Sequence, residues 1–152
     1  MLDLEFLPQK RFMEQAIALA KESARQGDVP VGAVIEQNGR VIGTGRNRRE
    51  QKQDALCHAE IEAIHEACAF LGNWRLTGCR LYVTLSPCAM CAGAILNARI
   101  ERVICGAEDD RMPVGALDLW RQNSGEPDVK LYRGFMEREC RQLLQDFFRG
   151  VR

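Results

Sequence analysis

Two cysteines and one histidine in this 152-residue chain have the types and the spacing of metal ligands. Cys88 and Cys91 stand at i, i+3 spacing directly after Pro87, and His58 lies upstream in an H-A-E motif. Two thiolates and one imidazole are a donor set of catalytic zinc sites, which keep three protein ligands and leave a fourth position for water. The sequence therefore predicts one Zn²⁺ per chain, held by His58, Cys88 and Cys91.

A carboxylate beside these ligands adds acid–base chemistry. Glu60 follows His58 by two residues, which in the middle of a helix would place it on the opposite face. At the first turn of a helix, however, both side chains can lean over the helix end. Glu60 is therefore predicted to reach water at the metal without binding the metal, and to carry a proton from that water to a substrate.

The seven cysteines allow other interpretations. A redox Cys-x-x-Cys pair has no need of an H-x-E partner. A closed structural zinc site needs a fourth cysteine, and Cys57 is badly placed for that role because adjacent residues such as Cys57 and His58 rarely reach one metal. The other cysteines and the second histidine are expected to pack in the core or on helix faces: Cys68, Cys79, Cys105, Cys140 and His65.

Composition and charge narrow the class of protein. Lys plus Arg (21) equals Asp plus Glu (21), so binding to nucleic acid would need a local basic patch. The odd number of cysteines and the absence of a secretory signal predict a cytoplasmic location. No apolar run approaches the roughly 18 residues of a membrane span, and neither a membrane nor a nucleotide cofactor is expected as a partner. Residues 1–152 are expected to form a single zinc-dependent domain.

Helices and strands alternate around these motifs. Asn38-Gly39, between two strand-like runs, is a strong hairpin signal. Strands that alternate with helices from residue 80 onward predict a mixed sheet covered on both faces. The predicted elements are a helix over 8–26, strands over 31–36 and 40–45, a helix over 58–71, a strand over 80–85, a helix over 87–98, a strand over 102–106, a short helix near 117–121, a strand over 130–134 and a last helix over 136–149.

The predicted elements place both ligand groups at helix starts. Two helix N-termini can then point at one metal, and their partial positive charge favours the thiolate form of cysteine. Between the hairpin and His58 lies a polar segment, 46–57, which is predicted to be a loop. It is the densest basic segment of the chain. By itself such a segment is typical of a solvated surface. Its position directly before His58, however, favours a location at the entrance of the site that contains His58.

H-x-E combined with P-C-x-x-C is the established signature of zinc-dependent nucleobase deaminases. The chain also resembles bacterial tRNA-specific adenosine deaminases over nearly its whole length. That family converts the wobble adenosine of a tRNA anticodon to inosine, has the cytidine deaminase-like fold and acts as a homodimer. The resemblance implies a three-layer α/β/α fold with a mixed five-stranded sheet, a tRNA anticodon stem-loop as substrate and a homodimer. The matching segments are D-V-P-V-G-A-V at 28–34, G-R-N-R at 45–48, H-A-E-I at 58–61, L-G-N-W-R-L at 71–76, P-C-A-M-C-A-G-A-I at 87–95 and L-L-Q-D-F-F-R at 143–149.

Residue by residue, the resemblance assigns the zinc ligands to His58, Cys88 and Cys91 and the proton shuttle to Glu60. It also assigns two substrate contacts: the base-contacting asparagine of the family falls on Asn47, and an aspartate after the following strand falls on Asp109. Because anticodon loops are bound as splayed single strands held by their backbone, basic residues should contact phosphates. These are Arg46, Arg48, Arg49 and Lys52, with Arg138, Arg141 and Arg149 of the last helix.

Two departures from the family pattern concern the substrate. The family usually has glutamate before the proline, whereas this chain has Ser86, and T-L-S-P-C also resembles fungal-type cytosine deaminase. After Asp109 the family tends to have a Lys/Gly/Ala-rich run, whereas this chain has D-R-M-P-V-G-A-L-D at 110–118. The alternatives are a deaminase of free cytosine or guanine, with a small closed pocket and no basic rim, and a zinc-stabilised RNA-binding protein without turnover.

Overall fold

The computed structural model describes residues 6–109 and 129–150, and the elements are numbered over these residues. The predicted short helix near 117–121 and the run at 110–118 lie outside them. None of the described helices is long and apolar enough to cross a membrane. The elements are α1 (Lys10–Arg25), β1 (Gly32–Gln37), β2 (Arg40–Arg46), α2 (Arg49–Lys52), α3 (Ala59–Leu71), β3 (Arg80–Leu85), α4 (Ala89–Asn97), β4 (Arg102–Ala107), β5 (Lys130–Tyr132) and α5 (Glu137–Gly150).

The five strands form one mixed sheet in the order β2-β1-β3-β4-β5, as predicted. β1 pairs antiparallel with β2 and β3, while β3, β4 and β5 run parallel. The carboxyl ends of parallel strands meet at one edge of a sheet, which is where open α/β sheets bind ligands. Here Leu85 of β3 is paired with Ala107 of β4. The segments that follow these two residues, which carry Cys88 and Asp109, therefore begin side by side.

The hairpin between β1 and β2 is the one the sequence predicts. Asn38 and Gly39 have positive φ values of 52° and 82°, as a type I′ turn requires of both central residues. The carboxylate of Glu36, which is buried, accepts the N–H of Gly39 at 2.9 Å and pairs with Arg80 at 3.1 Å. This pairing satisfies a buried charge at the end of β1.

The sheet is covered on both faces, which confirms the predicted three-layer α/β/α architecture. Side chains alternate across a strand, and two buried clusters follow that alternation. α1 and α5 pack on one face, and α3 and α4 pack on the other. The strand residues of the first cluster include Val34, Tyr82 and Ile104; those of the second include Ala33, Ile35, Leu81, Val83 and Val103.

Two glycines of β2 let α3 lie directly against the strand. A Cβ atom at Gly45 would stand 2.0 Å from the carbonyl oxygen of Ala59, and one at Gly43 would stand 2.4 Å from that of Ala63. Ala59, Ala63 and Ala67 are buried at successive turns of the helix. The first turn of α3, which follows His58 and includes Glu60, is thus held in position by a contact that only glycine permits.

Most predicted boundaries differ from the structure by one or two residues, and three of the differences have a clear local reason. The segment 46–57 is not only a loop, because it contains the one-turn helix Arg49–Lys52. β5 ends at Tyr132, before Gly134 takes a positive φ of 73°. The last helix begins after Met136, whose φ is 55°. Such left-handed backbone cannot continue a strand or a right-handed helix.

Candidate metal centre and substrate cavity

His58 and Cys88 occupy equivalent positions at the ends of two helices. Each is the residue before the first helical turn, in extended conformation, so α3 and α4 begin one and two residues later than predicted. Cys91 lies one turn further along α4. Both helices direct their N-termini, which carry partial positive charge, toward the same point. That charge favours thiolates over thiols.

The structure brings the three predicted ligands together. Nδ1 of His58 lies 3.6 Å from Sγ of Cys88 and 3.6 Å from Sγ of Cys91, and the three ligand atoms all lie within 4.8 Å of one another. A tetrahedral zinc with bonds of about 2.05 Å to nitrogen and about 2.3 Å to sulfur places those two atoms about 3.6 Å apart. The group therefore has the donors and the spacing to hold a metal ion.

The electrostatics of the group also favour a cation. Hydrogen bonds with Cys91 and His58 lower the pKa of the Cys88 thiol to about 3. The pKa of Cys91 is raised, first by its hydrogen bond to Cys88 and then by burial. The pKa of His58 is raised by its hydrogen bond to Cys88. The Cys88 thiolate thus accepts hydrogen bonds from Cys91 and His58. A metal ion bound by the three groups would replace the protons of these hydrogen bonds.

Glu60 is buried in the first turn of α3, beside Cys91. Its side chain is 4% exposed, and its carboxylate is not part of the ligand cluster. Burial raises the pKa of Glu60 to about 7, because desolvation disfavours the charged form. A cation bound nearby would draw this pKa down again. A carboxyl group balanced in this way is suited to take up and release a proton near neutral pH.

A cavity of about 610 Å³ opens onto this group, a volume in the range of sites for small-molecule ligands. His58, Glu60 and Cys88 line it. The predicted substrate residues Asn47, Arg49 and Asp109 line the same cavity. The helix α5 supplies part of the wall through Arg141, Leu144, Gln145 and Phe148. Of the three α5 arginines predicted to contact phosphates, Arg141 lines this cavity, whereas Arg138 and Arg149 do not.

Asn47 is held in place by contacts on each side. Its Nδ2 donates to the carbonyl oxygen of Val29 at 3.1 Å, and its Oδ1 accepts the N–H of Arg49 at 3.2 Å. Its carbonyl oxygen accepts the hydroxyl of Ser23 at 2.7 Å. An amide side chain has two donors and two acceptor positions, so Asn47 retains one of each for a ligand in the cavity.

Asp28 has a positioning role that the sequence analysis missed. It is 1% exposed, and its two carboxylate oxygens accept the N–H groups of Glu50 at 2.8 Å and Gln51 at 3.1 Å. It thereby caps α2 and sets the direction of Arg49. No local sequence signal indicates this role, because the N–H groups that Asp28 binds are 22 and 23 residues away.

The structure separates the basic segment into two parts. Arg49 lines the cavity with Glu60, whereas Arg46, Arg48 and Lys52 line a second cavity of about 570 Å³. Glu62 of α3 pairs with Arg48 at 3.2 Å and with Lys52 at 3.9 Å. Of the four side chains in this segment that are predicted to bind phosphates, two are therefore paired with a carboxylate of the same chain.

The remaining cysteines and the second histidine pack as expected. Cys57, Cys79, Cys105 and Cys140 are buried as free thiols, and Cys68 is half-buried. His65 is exposed on α3 and lines the second cavity.

Comparisons with known proteins agree on a family. The MafB19-like deaminase family matches residues 8–152. The tRNA-specific adenosine deaminase of Bacillus subtilis is 41% identical over 143 residues, which are 93% of this chain and 89% of that protein. The tRNA-specific adenosine deaminase of Streptococcus pyogenes serotype M18 is 42% identical over 147 residues, which are 95% of this chain and 92% of that protein.

Solved structures of deaminases are similar to this chain. A structure from a study of A-to-I editing by tRNA:A34 deaminases superposes with a TM-score of 0.82 and 39% identity, over 90% of this chain and 100% of that one. A guanine deaminase from Bacillus subtilis superposes with a TM-score of 0.64 and 40% identity, over 67% of this chain and 66% of that one. Together with the site geometry, these similarities show that the chain belongs to the MafB19-like deaminase family and, within it, to the tRNA-specific adenosine deaminases.

Proposed function

We propose that the protein hydrolytically converts adenosine to inosine at the wobble position of a tRNA anticodon. One observation carries the proposal: a single cavity joins the metal-ligand group and buried Glu60 to the polar side chains of Asn47 and Arg49. The relatives at 41% and 42% identity are named for this class of reaction. A site of acid–base chemistry beside groups that can hold a nucleotide is what base deamination in RNA requires.

The metal that we propose is Zn²⁺, one per chain, held by His58, Cys88 and Cys91. Three protein ligands with nitrogen and sulfur donors are typical of catalytic zinc sites. When bound, zinc makes water a strong nucleophile at neutral pH. The thiolate of Cys88 and the two helix N-termini prepare the protein for the cation.

Glu60 moves the protons of the reaction. Water adds to C6 of the adenine while Glu60 takes one of its protons and passes it to the ring nitrogen N1. Glu60 then delivers the second proton to the amino group, which leaves as ammonia, so that one adenosine and one water give one inosine and one ammonia. A pKa raised to about 7 by burial suits a carboxyl group that must accept and release a proton in each cycle.

The substrate enters as a splayed single strand. Deaminases of this kind take the target base out of its stack into the active-site cavity. Asn47 has one donor and one acceptor left for the edge of the base, and Arg49 is placed to meet a phosphate of the backbone. Asp109 also lines the cavity and can accept a hydrogen bond from the nucleotide. We further propose, from the family resemblance, that two chains form a homodimer that acts on tRNA in the cytoplasm.

A second candidate is a free-base deaminase, because a guanine deaminase is 40% identical to part of this chain. The cavity argues against it. A volume of about 610 Å³ exceeds what one nucleobase fills, and exposed Phe148 and Arg49 extend the cavity toward solvent. A site for a free base gains by closing around it and excluding water.

The test offers the zinc-loaded protein an anticodon stem-loop with adenosine at the wobble position and, separately, free cytosine and free guanine. We expect inosine from the stem-loop and neither uracil nor xanthine from the bases. Xanthine or uracil without inosine would overturn the proposal in favour of a free-base enzyme. Binding of the stem-loop with no product from any substrate would indicate an RNA-binding protein without turnover.

The role of Glu60 has its own test. Glu60→Ala should retain bound zinc, measured by mass spectrometry of the native protein. It should lower kcat by about 10²- to 10⁴-fold because the proton carrier is lost. Glu66→Ala, an exposed change on the same helix, is the matched control and should keep full activity. Undiminished turnover by Glu60→Ala would refute the mechanism.

A further inference from the structure

Ser86 connects the segment before the metal ligand Cys88 to the segment after β4. Its N–H donates to the carbonyl oxygen of Ala107 at 2.8 Å, and its Oγ accepts the N–H of Asp109 at 3.0 Å. The strand pairing of β3 with β4 extends as far as Leu85 and Ala107. The two hydrogen bonds of Ser86 therefore continue the connection beyond the strand ends, where the ladder no longer holds the backbone.

Both connected residues face the reaction site. Ser86 and Asp109 line the cavity that also contains Glu60 and Cys88. Asp109 lies two residues after the end of β4, beyond Leu85 and Ala107, the last pair of the β3–β4 ladder. A side-chain acceptor that binds the N–H of Asp109 restricts its backbone and thereby the direction of its carboxylate.

The residue type at position 86 suits this role. A hydroxyl oxygen can accept the N–H of Asp109 and still donate its own proton. It also adds no charge to a place that already contains the carboxylates of Glu60, Glu108 and Asp109.

We propose that Ser86 is a positioning residue for substrate binding: by holding the Asp109 main chain, it directs the Asp109 carboxylate at a hydrogen-bond donor of the bound nucleotide. The inference rests on the proposed function and adds a determinant of substrate affinity to it. Ser86 acts through Asp109, not on the metal ligands and not by direct contact with the substrate.

A double-mutant cycle tests the inference on the zinc-loaded protein with the wobble-adenosine stem-loop. Ser86→Ala should raise KM about fivefold, the effect of losing one hydrogen bond, with kcat within about twofold and bound zinc unchanged. Ser86→Thr, which keeps the hydroxyl, should restore KM. In an Asp109→Ala background, Ser86→Ala should change KM by less than about twofold, because the residue it positions is gone. Amide exchange at Asp109 should be faster in Ser86→Ala than in the wild type.

The outcomes separate this inference from the proposed function. An unchanged KM in Ser86→Ala, or the same increase in both backgrounds, overturns the inference while the wild type still forms inosine. Loss of zinc from Ser86→Ala also overturns it, because Ser86 would then act on Cys88. A wild type that forms no inosine overturns the proposed function and the inference with it.

Discussion

Replacing Gly45 by alanine should displace the catalytic end of α3. The new Cβ would lie 2.0 Å from the carbonyl oxygen of Ala59, whereas Cβ atoms in proteins essentially never come closer than 3.0 Å to such an atom. The two atoms must therefore separate by about 1 Å. Gly45 lies within β2 and is paired with Ala33 of β1. Because that pairing holds the strand, the helix end is the part that moves.

The displacement falls on the proposed metal ligand His58 and the proposed proton carrier Glu60. Ala59 stands between His58 and Glu60, and a shift of about 1 Å at reacting groups costs on the order of 10²-fold in rate. Overpacking of this kind typically costs about 1–3 kcal/mol in the free energy of unfolding. We therefore expect Gly45→Ala to fold with a lowered melting temperature, to bind zinc more weakly and to lose about 10²-fold in kcat/KM.

Gly43→Ala is the matched control. Its Cβ would meet the carbonyl oxygen of Ala63 at 2.4 Å, on the same strand and helix but one turn further from His58. It should lose similar stability and much less kcat/KM. The assay measures melting temperature, zinc content and kcat/KM on the stem-loop for both variants. If the two variants differ by less than about threefold in kcat/KM, the contact at Gly45 does not position the site and the reasoning is refuted.

Two further predictions concern the segment beside the cavity. Asp28→Ala leaves the N–H groups of Glu50 and Gln51 without acceptors and should lower the free energy of unfolding, measured by urea denaturation, by about 1–3 kcal/mol. Asp28→Asn keeps one acceptor and should lose less stability. Wild-type stability for Asp28→Ala would contradict the role of Asp28 as a cap. Arg49→Gln should weaken stem-loop binding and reduce the slope of the logarithm of the binding constant against the logarithm of the salt concentration by about 0.7. Arg46→Gln is the control and should leave that slope unchanged, because Arg46 lines the second cavity. Equal effects of the two substitutions would show that the two cavities do not differ in function.

Much of the fold follows from local sequence signals. The run R-L-Y-V-T-L predicts β3 with its observed bounds, because a short apolar stretch that is buried on both faces has few alternatives to a central strand. Asn38-Gly39 predicts the hairpin turn, because both residues tolerate positive φ. Gly72 predicts the end of α3, where it takes a left-handed φ of 63°.

Other features could not be predicted because their causes are distant in sequence. The one-turn helix Arg49–Lys52 depends on the carboxylate of Asp28, which is 22 residues from Glu50. A run of basic residues shows charge but not direction. For that reason the sequence does not show that Arg49 lines a different cavity from Arg46 and Arg48.

The sequence by itself determined the family of this protein and the residues that can hold a metal ion. Residue type and short-range spacing indicate which atoms can bind a metal. The relevant signals are local: two cysteines one helical turn apart, Cys88 and Cys91, and the H-A-E motif. Only the tertiary structure decided what shares the site with them. Parallel pairing of β3 with β4 brings Ser86 to the Asp109 main chain, and the absence of a side chain at Gly45 brings the end of α3 to the strand. These contacts depend on packing between distant segments, which no local pattern encodes.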